Sequence, residues 1–216
     1  MMTVNPLGKE TQYNPHYDKK LLFAIERETG RKNSEIDASI FNGYDVWNCY
    51  ELSWLNGKGK PEVRRARIVY PSDSRCIVES KSLKLYLGSF IMTKFENEDR
   101  VAATISEDLS EVLGAGRVDV KIYGCFHPLD FALIEKDDLV DDLDVSCDSY
   151  FPDSSLIEVV DRGGFSEALF TNLLKTNCPI TSQPDWASVS VKYRASRQMT
   201  REAFLSYIVS FREHGD

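Results

Sequence analysis

The sequence predicts an α+β fold, with helices packed on one face of antiparallel sheet, and three observations predict it. Stretches with a two-residue apolar period and stretches with a three-to-four-residue period follow one another as strand, strand, helix, helix, strand, strand. A glycine-rich turn separates the first two strand-like runs, as in a hairpin. A shorter set of the same elements returns after residue 160.

Residues 1–44 read as an irregular polar lead-in, because Pro6, Gly8, Asn14, Pro15, Gly30, Asn33, Asn42 and Gly43 interrupt any long element. Trp47 to Leu55 is rich in aromatic residues and reads as a strand. Asn56-Gly57-Lys58-Gly59-Lys60-Pro61 is a turn, and Glu62 to Tyr70 the returning strand. Leu83, Tyr86, Leu87 and Phe90 mark a helix face. Val101, Ile105, Leu109, Val112 and Leu113 mark a second helix, with Asn97 as its cap and Gly114 or Gly116 as its stop. Val118, Val120 and Ile122 alternate with polar residues as a half-buried strand does. Leu143, Val145 and Cys147 predict another strand after the acidic loop at Asp137 to Asp142. In the second half, Leu169 to Lys175 reads as a strand and Pro179 to Pro184 as a turn. Val189, Val191 and Tyr193 alternate, and Thr200 caps a helix with Phe204, Ile208 and Phe211 on its face.

A local echo points to duplication. Leu85-Tyr86-Leu87-Gly88-Ser89-Phe90 resembles Ser206-Tyr207-Ile208-Val209-Ser210-Phe211, each following a hairpin. The expected organisation is a lead-in at 1–44, a first module at 45–160, and a second, incomplete copy at 161–216. Only Arg212 to Asp216 follow the second echo, so that copy reads as cut short, with an open sheet edge for a partner to cover.

Charge narrows the function classes. With 26 basic and 34 acidic residues the net charge is -8, against the basic surplus that gripping a nucleic-acid backbone needs. Arg64, Arg65 and Arg67 read as a solvated sheet face, so no nucleic-acid partner is expected. No apolar run reaches the roughly 20 residues of a membrane span, and Met1 to Glu10 lacks a signal core. The five cysteines, odd in number and widely spaced, fit a reducing cytoplasm. There is no Cys-x-x-Cys and no His-x-x-x-His, so no metal site is expected.

Two segments carry chemistry. Glu79-Ser80-Lys81-Ser82 opens a helix, where free amides, a lysine and hydroxyls make an anion site. The bland reading of the same residues is ordinary helix capping. There is no Gly-x-Gly-x-x-Gly, so a Rossmann site is not expected. Cys178 and Asp185 lie at the end of one predicted strand and the start of the next, which a hairpin brings together. Such a carboxyl can take the thiol proton, and burial would raise its pKa to suit that role. Cys49, Cys76, Cys125 and Cys147 read as small buried hydrophobes, and Trp186 as core or pocket wall.

The run Glu79-Ser80-Lys81-Ser82-Leu83-Lys84-Leu85-Tyr86-Leu87 is similar to a signature of the QueF nitrile reductases. Leu174-Lys175-Thr176-Asn177-Cys178-Pro179-Ile180-Thr181-Ser182-Gln183-Pro184-Asp185-Trp186 is similar to their catalytic segment. Tyr50 to Asn56 and Ser210-Phe211-Arg212 add to the likeness, which covers nearly the whole chain in the order of the two-module branch. The resemblance implies a tunnelling fold, a homodimer, and reduction of 7-cyano-7-deazaguanine to 7-aminomethyl-7-deazaguanine with two NADPH, in queuosine biosynthesis. It implies that Cys178 attacks the nitrile and Asp185 supplies the proton. It also implies that Val78, Glu79 and Ser80 contact the base, and Ser80 and Lys81 the cofactor. Family members continue with a Phe-His-Glu run and later an Arg-Gly pair. Here the sequence reads Phe211-Arg212-Glu213-His214, and His214 takes no role by resemblance. Two alternatives stay open: a relative that transfers nitrogen to the same thioimide, and a non-catalytic remnant that binds the base or pairs with another subunit.

Overall fold

A computed structural model describes residues 13–31, 37–127 and 138–215. Asn33 and Asp137, with Pro6 and Gly8, lie outside the described residues. The fold is mixed α and β, with antiparallel sheets and few helices. The chain divides into two compact units, Met1–Asp130 and Phe131–Asp216.

In the first unit the expected hairpin is present as β2 (Tyr44–Leu55) and β3 (Pro61–Pro71), joined on the far side of β3 by β5 (Asp119–Tyr123). Helices α2 (Ser80–Gly88) and α3 (Glu98–Leu113) supply the apolar stripe that covers one face of this sheet. Asn97 caps α3 by accepting from Arg100 N–H, and Gly114 ends it at φ 60°, a left-handed geometry that favours glycine.

The strand β2 changes parity midway. Trp47 and Cys49 face the helices at odd positions, and Leu52 and Trp54 at even ones. A bulge between Cys49 and Leu52 sets Tyr50 and Glu51 together against Arg65, so both halves keep their apolar side inward. Arg64 lies on the helix side, paired with Glu62 and Glu98, whereas Arg65 and Arg67 register with Tyr123 and Lys121 on the opposite face.

The lead-in holds more structure than its punctuation predicts. A strand β1 (Ala24–Glu26) pairs with β4 (Cys76–Val78), and the short helix α1 (Arg27–Arg31) follows it. Tyr17 reaches the helices, its hydroxyl donating to Asp108 at 2.7 Å, while Tyr86 donates to the same carboxylate at 2.6 Å.

In the second unit β6 (Val159–Asn177) and β7 (Pro184–Met199) form a long hairpin against α4 (Arg201–Val209). Thr200 caps α4 by accepting from Ala203 N–H. Leu169, Phe204, Leu205 and Ile208 form its small core with Val140. The strand predicted at Leu143 to Cys147 is not formed. Its residues alternate in exposure, and Leu143 and Val145 pack on this core, but among the described residues their backbone joins no sheet. Apolar alternation signals a half-buried extended segment, and only a neighbouring ladder makes it a strand.

The two hairpins share details. Each carries a bulge, at Tyr50–Glu51 and at Asn172–Leu173. Each last strand residue donates its N–H to the chain leaving the helix, Leu55 to Thr93 O at 3.0 Å and Asn177 to His214 O at 2.7 Å. After each helix a buried serine donates back three residues, Ser89 to Tyr86 O and Ser210 to Tyr207 O.

Candidate active site

The turn between β6 and β7 fixes Cys178 by its backbone. Its N–H donates to Gln183 O at 2.9 Å, and its carbonyl accepts from Ser182 N–H at 2.8 Å. Ser182 takes φ 55°, the left-handed region that a serine occupies only under constraint. Asn177 pairs with Pro184 and Thr176 with Asp185, so Cys178 and Asp185 meet at one hairpin end.

The first hairpin gives an internal measure of that reach. There the residue after the last paired position is Asn56, the residue after the returning proline is Glu62, and Asn56 Nδ2 donates to Glu62 Oε1 at 3.0 Å. The same two places of the second hairpin hold a thiol and a carboxyl.

The Cys178 thiol is half-exposed and its pKa is drawn below the ordinary thiol value. The Thr181 hydroxyl is the main cause, followed by the backbone N–H groups of Thr181 and Ile180, while desolvation first and the Asp185 carboxylate second pull the other way. Donors aimed at sulfur favour the thiolate, the nucleophilic form. The motif reading gave Thr181 no role, although its place three residues into the turn was a signal. Thr181→Val should move the pH profile of Cys178 alkylation upward, toward the ordinary thiol midpoint of about 8.5. An unshifted profile by iodoacetamide kinetics would remove Thr181 from this account.

Asp185 is exposed, so this hairpin does not bury it as its expected role called for. Trp186 is not core: it is exposed, with the Arg212 guanidinium over its ring. Alternation along β7 sends it to the face opposite Asp185.

The other expected contacts sit at the start of α2 in the first unit. Val78 and Glu79 are buried, Ser80 is exposed and Lys81 half-buried. Glu79 turns onto its own helix and accepts from Lys81 N–H at 2.9 Å and Ser82 N–H at 2.7 Å. The bland reading therefore holds for these two amides, and a carboxylate stands where an anion was expected. The amides of Lys81 and Ser82 are thus already taken by the Glu79 carboxylate. Beside Ser80 lies a cavity of about 490 Å³ between β2 and α2, lined by Trp47, Asn48, Cys49, Leu83 and Lys84 among others. Burial pushes the Cys49 thiol up to about 11, which disfavours its thiolate. Among the described residues no cluster of three His, Cys, Asp or Glu could hold a metal, and no helix is long and apolar enough to cross a membrane.

A thiol drawn toward its anion beside a carboxyl is the equipment of an enzyme that captures an electrophilic carbon covalently. The comparisons identify the class. The family model described as the N-terminal part of nitrile reductase, 7-cyano-7-deazaguanine-reductase, matches residues 13–122. A protein of Burkholderia multivorans named NADPH-dependent 7-cyano-7-deazaguanine reductase is 45% identical, over 97% of this chain and 77% of its own length. Proteins with the same name from Paraburkholderia phymatum and Chromohalobacter salexigens are 43% and 44% identical, the latter over 98% of this chain and 76% of its own. The chain belongs to the 7-cyano-7-deazaguanine reductase family of nitrile reductases.

Proposed function

We propose that this chain reduces the nitrile of 7-cyano-7-deazaguanine to the aminomethyl group with NADPH, a step of queuosine biosynthesis in the cytoplasm. The observation that carries this reading is that Cys178 and Asp185 lie at one hairpin end, in a chain of this family. Cys178 sulfur bonds to the nitrile carbon, Asp185 takes the thiol proton, and the same proton passes to the nitrile nitrogen, giving a thioimide. NADPH, when bound, supplies hydride, two equivalents in all, while protons complete the amine. The C–S bond breaks between the two reductions and returns the thiolate that the Thr181 hydroxyl favours. Ser80 and Lys81 are the residues for the cofactor phosphate. Val78, Glu79 and Ser80 are those for the base, with Glu79 giving an acceptor once it leaves, or shares, its capping bonds.

The proposed architecture is a duplicated tunnelling fold that works as a homodimer, its modules at 45–160 and 161–216 after a lead-in at 1–44. The matching bulges, strand-end bonds and back-bonded serines of the two hairpins support the duplication. Incubated with the nitrile and NADPH, the protein should oxidise two cofactor molecules per aminomethyl product. Cofactor oxidation no faster than in the absence of nitrile would overturn the assignment.

A further inference from the structure

The end of β6 presents Cys178 to Asp185 only because of an event six residues earlier. Leu169 and Thr171 are buried against the α4 side at odd positions, and Leu174 packs there at an even one. Between them Asn172 and Leu173 together oppose Ser188, since Thr171 registers with Val189 and Leu174 with Ala187. This one extra residue puts Thr176 opposite Asp185. A straight ladder would slip the pairing by one residue and turn the end of β6 to the other face.

A bulge leaves ladder groups without partners, and here one carboxylate takes them up. Asp141 Oδ1 accepts from the Thr171 hydroxyl at 2.6 Å. Both Asp141 oxygens accept from Asn172 N–H at 3.2 Å, and Oδ2 also accepts from Asn172 Nδ2 at 3.0 Å. Leu173 N–H donates to Thr171 Oγ1 at 3.1 Å, and Ser188 Oγ donates to Asn172 Oδ1 at 2.8 Å, tying the bulge to β7. Thr171 is fully buried, so its hydroxyl depends on this partner. Val140, next in sequence and also fully buried, holds Asp141 in place through its N–H to Phe170 O at 2.9 Å.

We infer that Asp141 is a positioning residue for the reaction: it clamps the β6 bulge that sets Thr176 opposite Asp185 and so brings Cys178, two residues on, to the same hairpin end. This rests on the proposed roles of those two residues. Six strand residues separate the clamp from the thiol, about 20 Å at 3.3 Å each, so Asp141 touches no reacting atom. It acts through backbone register alone.

The test is the pH profile of Cys178 alkylation by iodoacetamide, which needs no nitrile. Asp185→Asn removes the negative charge beside the thiol and should shift the profile to lower pH. Asp141→Asn keeps one acceptor but sets an amide nitrogen against Asn172 Nδ2, so the bulge loosens and the profile should shift the same way. Asp185→Asn added to Asp141→Asn should then change nothing further. The swap Asp141→Asn with Asn172→Asp restores a donor–acceptor pair and should return the wild-type profile. If Asp141→Asn does not fold, Thr171→Val removes the same clamp from the other side and is read in the same way. A wild-type profile in Asp141→Asn, with the Asp185→Asn shift intact upon it, would overturn the inference. Nitrile capture, followed by intact mass, reads the parent proposal separately. An unmodified wild-type chain counts against the nitrile chemistry, whereas wild-type capture with an equal rate in Asp141→Asn counts against the clamp. The expected loss in Asp141→Asn is about 10²-fold, the scale of a misplacement near 1 Å.

Discussion

Replacing Cys178 by alanine is expected to lower nitrile-dependent NADPH oxidation by roughly 10⁴-fold or more, the scale on which deleting a covalent nucleophile acts. The size follows from chemistry. A nitrile carbon is a modest electrophile, and the sulfur adduct converts it into an imine-like centre that accepts hydride readily. Of the other cysteines, Cys76 is buried and the Cys49 thiol is raised by burial, whereas Cys125 and Cys147, expected to be buried, are half-exposed. Cys178→Ser should recover little, because a hydroxyl with these donors stays protonated near neutral pH. The measurement is steady-state cofactor oxidation together with NADPH binding followed by fluorescence. Binding retained with turnover lost assigns the sulfur to chemistry. Turnover within tenfold of wild type in the alanine variant would remove it.

The second large effect concerns stability. Asp108 is 5% exposed and accepts from two tyrosine hydroxyls, Tyr17 of the lead-in and Tyr86 of α2, with Lys19 3.4 Å away. Asp108→Ala removes both acceptors at once. A buried hydroxyl left without a partner costs about 1–3 kcal/mol, and only Tyr86 is fully enclosed, so the expected loss is about 3 kcal/mol. Asp108→Asn keeps an acceptor oxygen and should lose less than half as much. The urea midpoint of the first unit reads the difference, and a loss below about 1 kcal/mol in the alanine variant would contradict the account.

The same network predicts a pH dependence. Burial first, and the Asp108 carboxylate second, raise the pKa of both tyrosines. The unfolded chain therefore releases these protons near pH 10 while the folded chain holds them. Their contribution is intact below about pH 10 and is lost as pH rises beyond it. Asp108→Asn should soften this alkaline loss without abolishing it, since burial remains.

Much of the fold was legible in the residues, and what was not has physical causes. The helix α3 declared itself through Asn97, Gly114 and a five-residue apolar stripe, because caps and periodicity are local. The hairpin of β2 and β3 was legible from its turn. Three-residue strands such as β1 and β4 carry no period, and their pairing depends on chain segments some fifty residues apart. Leu143 to Cys147 had a period but found no ladder. Bulges are equally silent: Asn172 and Leu173 read as any strand residues until their neighbours are placed. For the candidate site, Cys178 and Asp185 were found through motif and hairpin geometry together. Thr181 and Asp141 were missed because each works through hydrogen bonds, which residue type alone does not announce. Glu79 shows the reverse: its residue type fitted a ligand, and the fold uses its carboxylate to cap α2.

Covalent capture at Cys178 is the claim on which the functional account stands, and intact-mass spectrometry after exposure to 7-cyano-7-deazaguanine without NADPH reads it directly. The account predicts a gain of one nitrile mass, mapped to the peptide containing Cys178 and absent from the alanine variant. A chain that stays unmodified, or that carries the added mass on another residue, would contradict it.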